Sequence, residues 1–300
     1  MIAVTILGCN SAIAAYGRNP TAQVLQSQEE SFLIDCGEGT QMQMARYKIK
    51  RSRIGHIFIS HLHGDHYFGL IGLLTSMGLL NRTQPLHLYA PAQLEKIIAL
   101  QLEAADTKLP YSLYFHPIEK AGIIASTATM EVTAFPVKHR IDCWGFVFKE
   151  RKKPRKLAPD RIRSYGVPTT AYQNLQMGED YVTSKGTIIP NDELTTAASR
   201  PRIYAFCADT IYNEDMLPFI AGSDLIYHEA TYLKDLEERA AARFHSTTIQ
   251  AGTIAMKAKA GKLIIGHFSS KYETLDMFLE ETCSVFPNTE LAIEGSCFKI

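Results

Sequence analysis

A cluster of metal-binding residue types follows a short apolar run near residue 60. Residues 57–59 are Ile, Phe and Ile, which predicts a buried strand, and the segment His-Leu-His-Gly-Asp-His at 61–66 comes directly after it. In an extended turn the first two histidines can point to one side, while Asp65 and His66 face a second point. Imidazole and carboxylate ligands suit Zn²⁺, and a site without thiolates is more often catalytic than structural. The segment therefore predicts a site for two neighbouring metal ions, with a solvated histidine-rich loop as the alternative.

Four later apolar runs also end in residues of ligand or catalytic type. Residues 202–209 read RIYAFCAD, residues 224–230 read DLIYHEA, residues 262–267 read KLIIGH, and a further run ends FPVKH at His139. Each of these runs is a predicted strand with a polar residue at its end. We therefore expect one edge of a sheet to present a common site.

The remaining patterns predict an α/β chain that forms one domain over residues 1–300, since this length does not require two domains. Besides the three runs after residue 200, strands are predicted at residues 2–7, 23–27, 31–35, 57–60, 85–91, 113–116, 123–125, 130–136 and 145–149. Helices are predicted at residues 37–49, 67–80, 91–105, 232–243, 247–259 and 273–284.

Composition and charge exclude several classes of protein. No apolar run approaches the roughly 20 residues of a membrane span and the N-terminus lacks a basic leader, so we expect a cytoplasmic protein. The six cysteines show no CxxC spacing and are expected to be buried free thiols. A formal net charge of zero argues against an overall attraction to nucleic acid. Residues 149–163, however, hold eight basic and two acidic side chains, which makes this run either a solvated face or a local RNA-binding surface.

The HLHGDH segment resembles the HxHxDH signature of the metallo-β-lactamase superfamily. Its surroundings narrow the resemblance to the ribonuclease Z family of tRNA 3′-processing endoribonucleases, in its short bacterial form. The motifs that carry it are LGCNSAIAAYGRN, FLIDCGEGTQMQM, IGHIFISHLHGDHYFGLIGLL, CADT, HEAT, HST and GHFSSKY. The resemblance implies a four-layer αββα sandwich with an inserted protruding arm, and a homodimer.

The resemblance also implies a ligand set and a reaction. One zinc would be held by His61, His63 and His139, the other by Asp65, His66 and His267, with Asp209 bridging the two. Hydroxide on this pair of zinc ions would attack precursor tRNA just after the discriminator nucleotide, leaving a tRNA 3′-hydroxyl and a trailer 5′-phosphate. Asp65 would also accept a proton. Alternatives are another hydrolase on the same scaffold, such as a small-molecule phosphodiesterase, or a nucleic-acid-binding protein without turnover.

Three further expectations concern residues outside this ligand set. By the resemblance, Glu229 orients His245, which protonates the leaving 3′ oxygen; the alternative for His245 is a helix N-terminal residue. Asp35 is expected to steady the metal-binding turn. Ser269, Ser270 and Lys271 are expected either to meet phosphate or to form a turn.

The predicted arm occupies residues 150–195 and would bind the tRNA away from the cleaved bond. Gly-Val-Pro at 166–168 matches the start of the family's glycine- and proline-rich motif. Thr170 and Ala171 stand where that motif has glycine and proline, so the tip of the arm departs from the family pattern.

Overall fold

Two seven-stranded sheets form the larger of the two units of this computed structural model, which describes residues 2–27 and 30–300. That unit runs to Lys149 and resumes at Arg202, and the second unit is Glu150–Pro201. The strands are β1 (Ala3–Gly8), β2 (Ala22–Gln26), β3 (Ser31–Ile34), β4 (Ile54–Phe58), β5 (Leu86–Ala90), β6 (Leu113–Pro117), β7 (Gly122–Ser126), β8 (Met130–Val137), β9 (Cys143–Glu150), β10 (Lys156–Leu157), β11 (Tyr181–Val182), β12 (Ile188–Ile189), β13 (Thr195–Thr196), β14 (Ile203–Cys207), β15 (Leu225–Glu229), β16 (Leu263–Gly266), β17 (Thr289–Leu291) and β18 (Cys297–Lys299).

The helices, apart from four short 3₁₀ turns among the described residues, vary between one and three turns in length. They are α1 (Thr40–Arg46), α2 (Gly64–Tyr67), α3 (Leu70–Leu79), α4 (Gln93–Ala104), α5 (Pro159–Ser164), α6 (Tyr172–Met177), α7 (Asn191–Leu194), α8 (Leu217–Ile220), α9 (Glu237–Ala242), α10 (Thr248–Lys257) and α11 (Asp276–Val285). None of them is long and apolar enough to cross a membrane, as far as the described residues go.

The strand orders of the two large sheets are β18-β1-β2-β3-β4-β5-β6 and β17-β16-β15-β14-β9-β8-β7. Strands β3 to β6 are parallel in the first sheet, and β14 to β17 are parallel in the second. Parallel strands end at the same edge of their sheet, so the residues that follow them are brought together. Ligand sites in open α/β sheets form at such carboxyl ends.

Successive side chains along a strand point to opposite faces of the sheet, and this alternation produces the layers. On β4, Phe58 faces the second sheet, where its ring meets the edge of Phe148 at 5.3 Å, while Ile57 faces the helices that cover the first sheet. On the far side of the second sheet, α10 and α11 bury Ile254 and Phe278. The result is the αββα sandwich that the family resemblance implied.

The segment that follows the metal-binding turn differs from its prediction. Instead of one helix over residues 67–80, the chain forms α2 and α3 with a break at Gly69, whose N–H donates to the Cys36 carbonyl at 2.9 Å. A Cβ at Gly69 would lie 2.2 Å from the Gly37 oxygen, so only glycine allows this approach. Asp65 and His66 consequently lie in the first turn of a helix and not in an extended turn.

Other element boundaries differ by a few residues. The strand predicted at 57–60 is β4, which begins at Ile54 and ends at Phe58, and the helix predicted at 232–243 is a 3₁₀ turn followed by α9. The cysteines are all free thiols, but the expectation that all are buried was wrong, because Cys297 is exposed and Cys283 is half-buried.

The second unit has a hydrophobic core of its own. Strand β10 pairs with β13, and β11 pairs with β12 in a short hairpin. Helices α5, α6 and α7 complete the unit around five buried apolar side chains: Ile162, Val167, Leu175, Ile189 and Leu194. The predicted arm at 150–195 falls within this unit, and the GVPTTA segment contains a 3₁₀ turn at Thr169–Ala171 that leads into α6.

Candidate metal centre

Seven side chains that the sequence singled out converge beside the ends of four strands. His61 and His63 follow β4, and Asp65 and His66 lie in α2. The other three ligand candidates follow β8, β14 and β16: His139, Asp209 and His267. They form two groups in which the potential ligand atoms lie within 4.8 Å of one another: His61, His63, His139 and Asp209 in the first group, and Asp65, His66, Asp209 and His267 in the second. Asp209 belongs to both.

The first group consists of three imidazoles and the shared carboxylate. His63 Nδ1 lies 3.1 Å from His61 Nε2 and 3.0 Å from His139 Nε2, and the Asp209 carboxylate lies 3.8 Å from His61 Nε2. Burial lowers the pKa of His61 well below its ordinary value, that of His63 to about 4, and that of His139 in the same direction. All three imidazoles are therefore neutral at pH 7, which is the form that binds a metal.

The second group places two carboxylates against two imidazoles. Asp65 Oδ2 lies 3.5 Å from His66 Nε2 and 3.3 Å from His267 Nε2, and Asp209 Oδ2 lies 3.4 and 3.2 Å from the same two nitrogens. Burial acts to raise the pKa of both carboxyls, but the neighbouring histidines outweigh it and lower the pKa of each below its ordinary value. Both carboxylates are ionised at neutral pH.

Asp35 holds His66 in a defined orientation. Its Oδ2 accepts a 2.7 Å hydrogen bond from His66 Nδ1, and its oxygens also accept from the Ser60 amide at 2.7 Å and hydroxyl at 2.9 Å. Asp35 is fully buried with a φ of 55°, a left-handed conformation that aspartate tolerates better than most residues. The structure thus places Asp35 directly behind the metal-binding turn, as the sequence led us to expect.

The donor set fits a metal ion. His66 Nε2 is buried and makes no hydrogen bond to any described residue, although it points between two carboxylates. Burial acts to lower the pKa of His66, but Asp209 and Asp65 raise it well above its ordinary value. Without a cation, the pocket therefore holds a proton at the place where a positive ion would satisfy three ligands at once.

Glu229 organises a second set of contacts beside the ligands. At the end of β15, its Oε1 accepts a 2.9 Å hydrogen bond from His245 Nδ1 and another from the Ser246 amide. Burial acts to lower the pKa of His245, but the charge and hydrogen bond of Glu229 raise it to about 9. His245 is therefore protonated at neutral pH, beside both ligand groups.

Thr231 is a functional residue that the sequence reasoning missed. Its hydroxyl donates to Glu229 Oε2 at 2.8 Å, which leaves its oxygen to accept from His267 Nδ1 at 2.9 Å. This fixes the tautomer of His267 so that Nε2 faces the second ligand group. The position of Thr231 as the last residue of the HEAT motif was the available signal.

Several other candidates lie outside the centre. Ser269 accepts from the Lys271 amide at 3.3 Å, which is a turn contact, and the Lys271 ammonium lies over the Tyr272 ring. Cys207 is fully buried and belongs to neither ligand group. Besides His245, four histidines lie outside both groups: His56, His87, His116 and the buried His228.

Two cavities adjoin the ligand groups. One of about 440 Å³ is lined by His63, Asp65, His245 and His267. The other, of about 800 Å³, is lined on one side by His139. Arg140 lines both cavities.

Comparison with known proteins identifies relatives that match the chain from end to end. A ribonuclease Z of Bacteroides thetaiotaomicron is 43% identical over 98% of this chain and 94% of its own length. The crystal structure of human tRNase Z, short form, has a TM-score of 0.72 and 25% identity, with 99% of each chain covered. The metallo-β-lactamase fold protein YhfI from Bacillus subtilis, at 19% identity and a TM-score of 0.70, shares the fold over the whole of both chains.

Residues 2–153 also match the family profile described as anti-Pycsar protein Apyc1. This match covers β1 to β9 and with them His61, His63, Asp65, His66 and His139. The chain therefore belongs to the ribonuclease Z family, whose members match it over nearly its full length, and over residues 2–153 also to the family described as anti-Pycsar protein Apyc1.

Proposed function

We propose that this protein is a metal-dependent endoribonuclease that processes the 3′ ends of precursor tRNAs, cutting after the discriminator nucleotide to leave a tRNA 3′-hydroxyl and a trailer 5′-phosphate. The observation that carries the proposal is the juxtaposition of two ligand groups sharing Asp209 with a protonated histidine, His245, at the same strand ends. A phosphodiester held there would meet both a cation site and a proton donor.

The metal proposal is two Zn²⁺ ions, one in each ligand group. Seven nitrogen and oxygen ligands exceed what one tetrahedral centre takes, and a carboxylate has two oxygens with which Asp209 can serve both groups. When bound, two such ions supply an activated water at neutral pH and stabilise negative charge on the phosphate oxygens.

The chain's own residues would handle the protons. Asp65 is ionised and can accept a proton from the attacking water, with its Oδ2 held by the Ala12 amide at 2.7 Å. His245 lines the cavity that also contacts Asp65 and His267 and would give the leaving oxygen a proton, while Glu229 keeps the imidazole charged and oriented. These roles for Asp65, His245 and Glu229 belong to the proposal.

Residues 150–195 are proposed to bind the tRNA body. The basic side chains of this segment are not all free to contact phosphate, because Arg155 pairs with Asp192, Arg163 with Asp160, and Lys153 with Glu150. Lys152, Lys156 and Arg161 are exposed. The surface is therefore suited to a few phosphate contacts, each contributing roughly 0.7–0.9 to the slope of log K against log salt.

A deletion can separate this binding role from the chemistry. Lys149 and Ile203 are paired across the antiparallel strands β9 and β14, so an Asn-Gly turn replacing residues 150–202 can close a hairpin. We expect the deleted protein to show a raised KM for precursor tRNA and a flatter salt slope, with hydrolysis of bis(p-nitrophenyl) phosphate retained. The matched control is the full chain with Lys152, Lys156 and Arg161 changed to alanine, which should show the same direction of change with the second unit intact.

The alternative is a hydrolase of small phosphodiesters, favoured because every residue of the two ligand groups lies in the unit that excludes Glu150–Pro201. Such an enzyme would not need residues 150–201. Incubating the purified protein with a precursor tRNA and mapping the product ends decides between the two. Cleavage of bis(p-nitrophenyl) phosphate without cleavage of the RNA would favour the alternative.

A homodimer and a cytoplasmic location complete the proposal. Membership of the family supports the homodimer, and a precursor-tRNA substrate supports the cytoplasmic location. Light scattering on the eluting protein measures the first, and fractionation of cells measures the second.

A further inference from the structure

The cavity of about 800 Å³ beside His139 has no part in the metal chemistry described above. Its volume lies in the range of pockets that hold small organic ligands. Its walls combine apolar and aromatic side chains with basic ones, notably Trp144, Phe244, Lys138 and Arg140. A nucleoside with its phosphate matches this combination of a flat apolar surface and positive charge.

The cavity adjoins the reaction site at Arg140 and at the Phe244–His245 pair. Arg140 follows His139 in the chain, lines both cavities, and its positive charge contributes to the lowered pKa of His63. Phe244 immediately precedes His245 and lines the larger cavity, while His245 lines the smaller one. A phosphodiester at the ligand groups can therefore extend one of its two nucleosides into the larger cavity.

Phe244 is held in an unusual conformation. Its φ is 59°, in the left-handed region that bulky residues avoid, and its side chain is 38% exposed. Its carbonyl oxygen accepts a 2.9 Å hydrogen bond from His139 Nδ1, so the backbone that orients a metal ligand also presents the phenyl ring. Strained residues of this kind cluster at functional sites.

The position of His245 decides which nucleoside enters. A proton donor must lie within hydrogen-bonding reach of the oxygen it protonates, and the leaving oxygen is the 3′ oxygen of the last tRNA nucleotide. Phe244, which lines the larger cavity, directly precedes His245 in the chain, and the His245 ring lies 5.3 Å from that of His139, which also lines this cavity. We propose, on the basis of the proposed function, that this cavity binds the nucleoside whose 3′ oxygen leaves, with its base stacked on Phe244. Stacking on an aromatic ring accepts any of the four bases, so this site positions the nucleotide without selecting its identity.

The test is a cycle that combines enzyme variants with altered substrates. Three precursor tRNAs are compared: unmodified, abasic at the nucleotide 5′ of the cleaved bond, and abasic at the nucleotide 3′ of it. We expect Phe244→Ala and the 5′ abasic residue each to lower kcat/KM by roughly 5- to 150-fold, the range for one base stacked on an aromatic side chain. Combined, they should cost no more than either alone.

Controls separate stacking from folding. Phe244→Tyr should have nearly the wild-type kcat/KM, because it keeps the aromatic ring. Phe244→Leu should lose activity as Phe244→Ala does, because it keeps only the volume of the side chain. Phe219→Ala removes a phenylalanine of nearly equal exposure, 37%, that lies outside the cavity, and should leave kcat/KM unchanged. Metal content and thermal midpoint establish that each variant is folded, and if Phe244→Ala fails this check the Phe244→Leu variant takes its place in the cycle.

The outcomes are distinguishable. If the wild-type protein cuts the unmodified precursor but the two losses multiply, or the 3′ abasic residue cancels the effect of Phe244→Ala, the nucleoside assignment is overturned and the proposed function stands. If the wild-type protein does not cut the precursor, both are overturned.

Discussion

The two ligand groups of the metal centre share Asp209 and differ in what surrounds it. The first offers three histidines whose pKa values are lowered, so its nitrogens are free of protons at pH 7. The second adds Asp65 to the shared carboxylate, and the negative charges of Asp209 and Asp65 raise the pKa of His66. The first group can therefore bind a cation without releasing a proton, whereas the second must release a proton when it binds one.

The outer contacts of the two groups differ as well. In the first, His139 is oriented by the Phe244 carbonyl and His61 lies 3.0 Å from the Ser60 hydroxyl. In the second, buried carboxylates do this work: Asp35 holds His66, and Glu229 acts on His267 through Thr231. Changes to outer carboxylates should consequently affect the second group and the proton donor more than the first.

The largest expected effect on metal content and cleavage comes from changing Asp209, the residue that the two groups share. Asp209→Ala should release metal from both groups and lower tRNA cleavage on the order of 10⁴-fold or more, as for other residues that act as a unit. Metal analysis of the purified variant measures the stoichiometry. Asp209→Asn, which keeps one ligand oxygen and the shape, should retain part of the metal; loss of a single ion from Asp209→Ala with cleavage intact would refute the sharing.

The His245 ring contacts His139 of the first ligand group and His267 of the second but belongs to neither group. His245→Ala should keep the metal and lower the single-turnover rate on the order of 10²- to 10⁴-fold, because the proton donor acts only in the transition state. The active form is protonated, so the wild-type rate should be full at neutral pH and fall as pH rises through about 9. In Glu229→Gln this alkaline limb should move to lower pH, and an unmoved limb would show that the proton comes from another group.

Asp35 should act more strongly on the second group, where it contacts His66 directly, than on the first, which it reaches only through Ser60 and His61. Asp35→Asn keeps the shape and tolerates the positive φ, but weakens the carboxylate–imidazole contact to His66. We expect metal affinity at the second group to fall about 10- to 100-fold, as for other residues that hydrogen-bond to metal ligands, with a smaller loss at the first group. Competition with a chelator measures both affinities, and an equal loss at the two groups would remove the distinction between them.

The smallest expected effect is a difference in the number of protons that the two groups release when metal binds. The pKa of His66 is raised, so in the metal-free protein His66 stays protonated at neutral pH, and binding to the second group must release that proton. Its apparent affinity should rise up to about tenfold per pH unit below that pKa, whereas affinity at the first group should be flat near neutrality because its histidines are already neutral. Calorimetry in buffers of different ionisation enthalpy counts the protons, and equal release at both groups would contradict the pKa directions.

The sequence predicted that these seven side chains would converge because they are close in the chain or follow strong strands. The HLHGDH segment contributes two ligand candidates to each group, and the other three candidates end apolar runs that are strands in the structure. The runs indicated a common site at one sheet edge, whereas the four-layer αββα fold came from the family resemblance. What the sequence could not predict depends on contacts between distant segments, such as the break at Gly69, which arises from its approach to Gly37.

The same limit applies to the supporting residues. The role of Thr231 depends on His267, which lies 36 positions later in the chain, and the position of Phe244 depends on His139. The folding of the second unit around Leu175 and Leu194 was also not predicted, because its elements are short and their burial is set by one another.

The most direct test follows metal binding and cleavage in one titration. Zn²⁺ is added to metal-free protein while bound metal and single-turnover cleavage of a precursor tRNA are measured in parallel. We expect two ions to bind per chain, cleavage after the discriminator nucleotide to appear only as the second group fills, and the products to carry a tRNA 3′-hydroxyl and a trailer 5′-phosphate. Full cleavage with one ion bound, or cleavage by the metal-free protein, would contradict a reaction centre built on two groups that share Asp209.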